Sequence, residues 1–372
     1  MSKINILDLI LLVCFTLSML TFLELVQPAQ AAPSLISSPF PVTSLTLDQI
    51  WQREGQATFE RGSSVYSTLP GKGARHVLFV AGVMNELTVP LENYFPDNIR
   101  SIERELGYSH TQFRPSSRKS VPTNAEIIFA KINEIYNQVQ KPLIIVAHSK
   151  GAAETFYCIL AHPELILGGK VDRVILYQAS IGGSPIADGK HARALRFFSQ
   201  FVRPDMATLG TAAAKKNVNR AYYRYESFFR DYVDARGGSR TVKTISSHRA
   251  EKMKQFVSNR IFYIRSATPH GEWGWAVRLV RFISRKSLTP ERSNDGIHPL
   301  SPLAAKAITQ YSGLNDGLLP VESQMDVRIG VDLGILEADH TALTVSKMHS
   351  GTANLRRALM RAALCKVYES SF

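Results

Sequence analysis

Apolar residues in this chain follow two rhythms. Short continuous runs, free of internal proline, occur at His76–Ala81, Leu143–Val146, Val171–Tyr177 and Ile261–Ile264. Runs of that kind predict strands buried on both faces. Between them apolar positions recur every three or four residues. Phe95, Ile99, Ile102 and Leu106 place one helical face over 92–106, stopped by Gly107, and Ile128, Ile132, Ile135 and Val139 do the same for a helix starting near Asn124. A further helix follows the Leu143–Val146 run and reaches about Ala161. Thr111–Phe113 reads as a minimal strand, Val327–Leu333 as the last strand, and Ala353–Tyr368 as a basic C-terminal helix. Upstream, Gln56–Phe59 and Ser64–Thr68 read as short strands across Arg61-Gly62. Strands alternating with helices of this length predict an α/β fold, a mostly parallel sheet flanked by helices. No internal repeat of solenoid period is visible.

The alternation breaks between Asp188 and Arg260. This stretch reads as helices without strands around a Gly237-Gly238 joint, and aromatics punctuate it: Phe197, Phe198, Phe201, Tyr222, Tyr223, Tyr225, Phe228, Phe229 and Tyr232. The implied organisation is a lead segment at 32–73, a core formed by 74–187 and 261–372, and a helical cap insertion at 188–260. With 372 residues, 45% hydrophobic and 20% charged, the chain can bury a sizeable core. Its net charge of +13 sits largely in the insertion. Such a balance favours anionic surfaces. Basic and aromatic residues interleaved on helices suit a lid over an acyl-chain site facing an anionic membrane or envelope surface. They equally suit an ordinary cap with an aromatic core and a solvated charged face.

The N-terminus carries an address. Lys3 precedes an uncharged apolar run from Leu9 to Leu23, and Ala29-Gln30-Ala31 has the form of a cleavage site. Residues 1–31 therefore read as a signal peptide, and the mature chain as periplasmic, envelope-associated or secreted. Export argues against a nucleic-acid partner. Two cysteines remain after cleavage, Cys158 and Cys365, which is no disulfide framework. The oligomeric state leaves no mark on the sequence.

The chemistry gathers on Lys141–Glu154, KPLIIVAHSKGAAE. A buried strand runs into Ala147-His148-Ser149-Lys150-Gly151 and straight on into small helix formers. That is the pattern of a sharp strand-to-helix turn with a serine at its apex, where small neighbours are needed. Serine becomes a useful nucleophile only beside a base. In the order such turns require, Asp316 in Leu314-Asn315-Asp316-Gly317-Leu318-Leu319-Pro320 is the candidate acid. His340, after the last strand in Ala338-Asp339-His340-Thr341, is the candidate base. Asp295 with His298, and His349, are competitors without the strand-end position. The backbone amide of Lys150 is one candidate oxyanion donor, and that of Val83 or Met84, after Gly82, is the other. The Lys150 side chain reads as solvated at a helix start, and His148 as facing away from the serine in a packing or hydrogen-bonding role. No cluster has metal-ligand spacing, so neither a metal nor another cofactor is expected.

These stretches, with Val80-Ala81-Gly82-Val83, resemble lipase/esterase-type members of the α/β-hydrolase superfamily over roughly residues 74–345. Departures are Ala81-Gly82, where many lipases have His-Gly, and the long segment between Ile264 and Asp316. The resemblance implies an α/β-hydrolase fold with a helical cap, and a serine hydrolase acting on carboxylic esters, of lipids or other acylated molecules, through an acyl-enzyme on Ser149, His340 and Asp316. A peptidase, an amidase, a polyester depolymerase or a non-catalytic envelope-binding module remain alternatives on the same fold.

Overall fold

The computed structural model describes residues 69–82, 94–188, 209–235, 240–268, 314–345 and 353–369. Six strands form one sheet: β1 (His76–Val80), β2 (Ser109–Phe113), β3 (Leu143–His148), β4 (Val171–Tyr177), β5 (Ile261–Ala267) and β6 (Val331–Glu337). Their spatial order is β2-β1-β3-β4-β5-β6 and every pair is parallel. β1 and β3 are buried along their whole length, as their aliphatic runs predict, whereas the more polar β2 and β6 lie at the two edges.

Helices cover both faces. They are α1 (Pro96–Ser101), continued by a π-helical turn at Ile102–Leu106, α2 (Val121–Val139), α3 (Ser149–Ala161), the short α4 (Glu164–Leu167), α5 (Thr211–Asp234), α6 (Arg240–Ser258) and α7 (Ala353–Glu369). Alternate strand residues point to opposite faces. Leu78, Val80, Ile145, Val174, Leu176 and Tyr263 pack under α2, α3, α5 and α6. Val77, Phe79, Ile144, Val146, Ile175 and Phe262 pack under the 94–108 segment and α7. The result is a three-layer α/β/α sandwich. Ser120 caps α2 by accepting from the Thr123 amide at 3.3 Å, with Pro122 in the first turn, where its missing N–H costs nothing.

Several predicted boundaries move, three of them for a clear local reason. The 92–106 helix begins only at Pro96, because Phe95 adopts a left-handed backbone (φ 63°) and Tyr94 bridges to Val345 instead. The minimal strand extends back to Ser109, whose hydroxyl meets His76 Nδ1 at 2.8 Å while Thr111 meets Nε2 at 2.9 Å. The last strand forms four residues late, at Val331–Glu337. The Asp326 carboxylate accepts from the Arg328 amide at 2.8 Å and pairs with its guanidinium, so Asp326–Arg328 is a turn and Val327 projects into solvent.

In the described part of the insertion, α5 and α6 join the helical layer on the sheet. Ala221, Tyr225 and Phe229, at helical spacing on α5, are buried in the same core as α3. Tyr225 and Phe229 meet edge to face at 5.0 Å. Phe197, Phe198, Phe201 and the Gly237-Gly238 joint lie outside the described residues, as do the expected signal peptide, the predicted short strands up to Thr68 and most of the lead segment. Cys158 on α3 and Cys365 on α7 are buried and free. Among the described residues no helix is long and apolar enough to cross a membrane.

Candidate active site

β3 turns into α3 with no intervening loop, and Ser149 is the residue at the corner. It takes a left-handed backbone (φ 56°), a strained conformation for a residue with a Cβ, which lifts its side chain out at the carboxyl end of the sheet. The neighbours leave no space. A Cβ on Gly151 would stand 2.3 Å from the Ala81 carbonyl oxygen, and one on Gly82 would stand 2.8 Å from the Ser149 Cβ. These two contacts explain why glycine follows the serine by two positions and why β1 ends in one.

Asp316 lies in the turn between Asn315 and Pro320, which bridge each other. Its carboxylate is fully buried and surrounded by donors. Oδ1 accepts from the Leu318 and Leu319 amides at 2.9 and 2.8 Å, and Oδ2 from Gln324 Nε2 at 3.2 Å. Oδ2 also accepts from His340 Nδ1 at 2.8 Å. His340 follows β6 in a turn whose Asp339 carboxylate accepts from the Thr341 and Ala342 amides at 2.8 and 3.0 Å. The His340 amide itself donates to the Asp316 carbonyl at 3.0 Å.

The proton positions follow from the partners. A buried carboxylate only accepts, so Nδ1 of His340 carries the hydrogen and Nε2 presents its lone pair. Ser149 Oγ lies 2.8 Å from that Nε2. A row Ser149–His340–Asp316 thus brings together three residues separated by 191 and 24 positions in sequence. It can move the serine proton onto the imidazole and steady the resulting cation. Lys150 opens the first turn of α3, where leading amides have no intrahelical acceptor. Val83 and Met84, the other candidate oxyanion donors, lie outside the described residues, as do Asp295, His298 and His349. Among the described residues no group of acidic, histidine or cysteine side chains is arranged to hold a metal.

The Lys150 side chain departs from the expected solvated state. It is buried, ion-paired with Glu154 one turn further on, and donates to the Lys119 carbonyl at 2.8 Å. Asn124 also donates to the Glu154 carboxylate, at 2.6 Å. Burial pushes the Glu154 carboxyl up to about 7, against the pull of Lys150 and Asn124. The i, i+4 spacing of Lys150 and Glu154 was a signal for this pair. Sequence reasoning also missed Tyr94, Gln178 and Gln324, which hold the turns around the row. His148 faces away from Ser149 and hydrogen-bonds, as anticipated, but its partners were not foreseen. It contacts Tyr94, Gln178 and the backbone of His340.

No protein-family model and no curated protein sequence matches the chain. Solved structures do. A metagenomic carboxyl esterase superposes with a TM-score of 0.51 at 20% identity, over 80% of this chain and 77% of that one. The chain has the α/β-hydrolase fold. A mature Bacillus licheniformis lipase is also similar, at 16% identity over 75% of this chain and 89% of its own, with a TM-score of 0.46. The Ser149 corner is a strand-to-helix elbow, and the turns holding Asp316 and His340 follow strands beyond it in the chain order anticipated.

Proposed function

We propose that the protein is a serine hydrolase that cleaves carboxylic esters through an acyl-enzyme on Ser149. The observation that carries this reading is the Ser149–His340–Asp316 row, with 2.8 Å at each link, on a serine held in a left-handed elbow. His340 Nε2 takes the Ser149 proton as Oγ bonds to the ester carbonyl carbon. Asp316 holds the ring in the required tautomer and balances the imidazolium. The tetrahedral oxyanion faces the Lys150 amide, with Val83 or Met84 as second donor. His340 then protonates the departing alkoxide, and water repeats the sequence to free the acid. The esterase and lipase named among the structural neighbours agree with this chemistry. A lipid or other acylated molecule is the proposed substrate, met by an exported protein whose basic insertion faces an anionic membrane or envelope surface. The signal-like residues 1–31 and the net charge of +13 support that setting.

A fluorophosphonate probe and a panel of esters of increasing chain length test the proposal together. The wild-type protein should be labelled on Ser149 and turn over at least one ester. Ser149→Ala should lower kcat by about 10⁶-fold if the row acts as a unit. Near-normal hydrolysis by that variant, or no labelling of the folded wild type, refutes it.

A further inference from the structure

We propose that His148 and Tyr94 are positioning residues that tie Gly82, directly before the candidate oxyanion donors, to the peptide of the catalytic base, an inference that rests on the hydrolase reading above. The two side chains come from distant segments. Tyr94 precedes α1, and His148 is the last residue of β3, directly before the nucleophile. Both are buried. The Gly82 amide donates to the Tyr94 hydroxyl oxygen at 3.1 Å, and that hydroxyl is hydrogen-bonded to His148 Nδ1. On the other edge of the ring, His148 Nε2 lies 2.8 Å from the His340 carbonyl oxygen and 3.1 Å from Gln178 Oε1.

One proton arrangement satisfies these contacts with every ring nitrogen and the hydroxyl in a single role. A carbonyl oxygen only accepts, so Nε2 of His148 must carry a hydrogen. A second hydrogen on Nδ1 would place a buried cation beside His340 and leave the Tyr94 hydroxyl only an acceptor toward Gly82 and His148. With the neutral ring, Tyr94 donates its proton to Nδ1 and accepts from Gly82. Burial, with His340 nearby, lowers the His148 pKa to about 3, which agrees with a neutral ring. The links therefore run in a fixed sense from the Gly82 amide through Tyr94 to one side of His148, while its other side donates to the base.

The consequence is mechanical. The His340 peptide is held at both ends, its amide on the Asp316 carbonyl at 3.0 Å and its carbonyl on His148. Gln178, itself in a left-handed backbone (φ 47°), adds a bond from Nε2 to the Asp339 carbonyl at 2.7 Å. Ser149, His340 and Gly82 belong to three segments far apart in sequence, and two side chains link them. The rate of acyl transfer depends on sub-ångström alignment of such groups, and ground-state binding of an ester depends on it little. The hydrogen bonds of both side chains go to backbone groups, to each other or to Gln178, and the His148 ring lies beside the His340 ring with centroids 4.9 Å apart, so the effect is on positioning.

The test uses the full chain with a soluble chromogenic ester and a trifluoromethyl ketone that forms a tetrahedral adduct. The variants are Tyr94→Phe, His148→Leu, His148→Gln and the double variant Tyr94→Phe/His148→Leu. Tyr94→Phe removes one oxygen and should lower kcat about tenfold with KM within about twofold, and should weaken ketone binding in parallel. His148→Gln, whose amide nitrogen can still donate to the His340 carbonyl, should recover part of the kcat lost by His148→Leu. The double variant should be little worse than His148→Leu, because both changes break one chain of contacts. If His148→Leu does not fold, Tyr94→Phe and His148→Gln carry the test. A folded Tyr94→Phe with wild-type kcat and ketone affinity overturns the assignment, as does a rise in KM alone. A wild-type protein that neither hydrolyses esters nor labels with fluorophosphonate overturns instead the hydrolase reading beneath it.

Discussion

Replacing Glu154 by glutamine should flatten one limb of the pH–stability curve. The Glu154 carboxyl sits one turn beyond the nucleophile in α3, with 1% of its surface exposed. Burial raises its pKa from 4.5 to about 7, and Lys150 and Asn124 only partly offset this. Between those two pH values the unfolded chain has released a proton that the folded protein keeps. The folded state therefore binds more protons there, and stability falls as pH rises. The contribution is greatest below pH 4.5, declines to about pH 7 and is flat beyond it. At about 1.4 kcal/mol per pH unit, the loss across that window is roughly 3 kcal/mol. Glutamine keeps the shape and the acceptor oxygen but cannot ionise.

The assay is urea unfolding of wild type and Glu154→Gln at intervals from pH 4 to pH 8, read as the difference between the two. Other titrating groups cancel in that difference. The wild type should lose ground to the variant between pH 4.5 and 7. A difference that stays constant across the range would refute the reasoning. So would a wild type that gains with pH, because it would mean that Lys150 stabilises the carboxylate by more than burial costs it. The balance bears on function because Lys150, whose amide is the proposed oxyanion donor, is one partner of the pair.

Three further substitutions separate catalysis from packing. Asp316→Asn places an amide N–H against His340 Nδ1 and favours the tautomer that cannot receive the Ser149 proton; kcat on a soluble ester should fall by about 10⁴-fold, and a loss under about tenfold would remove Asp316 from the row. Phe229→Ala should cost about 3–5 kcal/mol in urea unfolding, because the ring is buried between α5 and the core. Tyr223→Ala, on the exposed side of the same helix, should stay within about 0.5 kcal/mol. Equal effects would mean that α5 does not pack as described.

What the sequence made legible was local. Val171–Tyr177 forms its strand to the residue and α3 ends at Ala161, because a continuous aliphatic run and a run of small helix formers each leave one good solution. Ser149, Asp316 and His340 were legible for a related reason. A tight elbow needs small neighbours and a fixed chain order, and both are written in one dimension. Tyr94 was not, since the spacing of Phe95, Ile99 and Ile102 counts it as one more helical residue. It escapes the helix only because Phe95 turns left-handed ahead of Pro96. Its link to His148 spans 54 positions and exists only once β1, β3 and the segment before α1 have met. Lys150 failed differently. Its partner Glu154 stood in plain view, but the decision between solvated and buried was made by Asn124 and Lys119, which belong to other elements.

The same distinction shapes the proposed contact with an anionic surface. Aromatics and basic residues alternate along α5 in sequence, yet in the fold they part company. Tyr225 and Phe229 turn inward, while Lys215, Lys216 and Arg220 stay exposed, as do Lys243, Arg249 and Lys252 on α6. On these two helices the buried rings are already used inside the protein and the exposed large apolar side chains are Tyr223, Ile245 and Phe256, so the proposed attraction to anionic lipid rests chiefly on charge. Each basic residue near such a surface contributes about 1 kcal/mol at physiological salt, and the field decays within a Debye length of about 8 Å. Binding of the mature protein to vesicles containing phosphatidylglycerol should thus be strong at low salt and collapse as sodium chloride approaches 1 M, where the Debye length is about 3 Å. Reversing the charge at Lys215, Lys216 and Arg220 together should weaken it, while Tyr223→Ala should change it little. Binding that survives high salt would show instead that apolar insertion dominates.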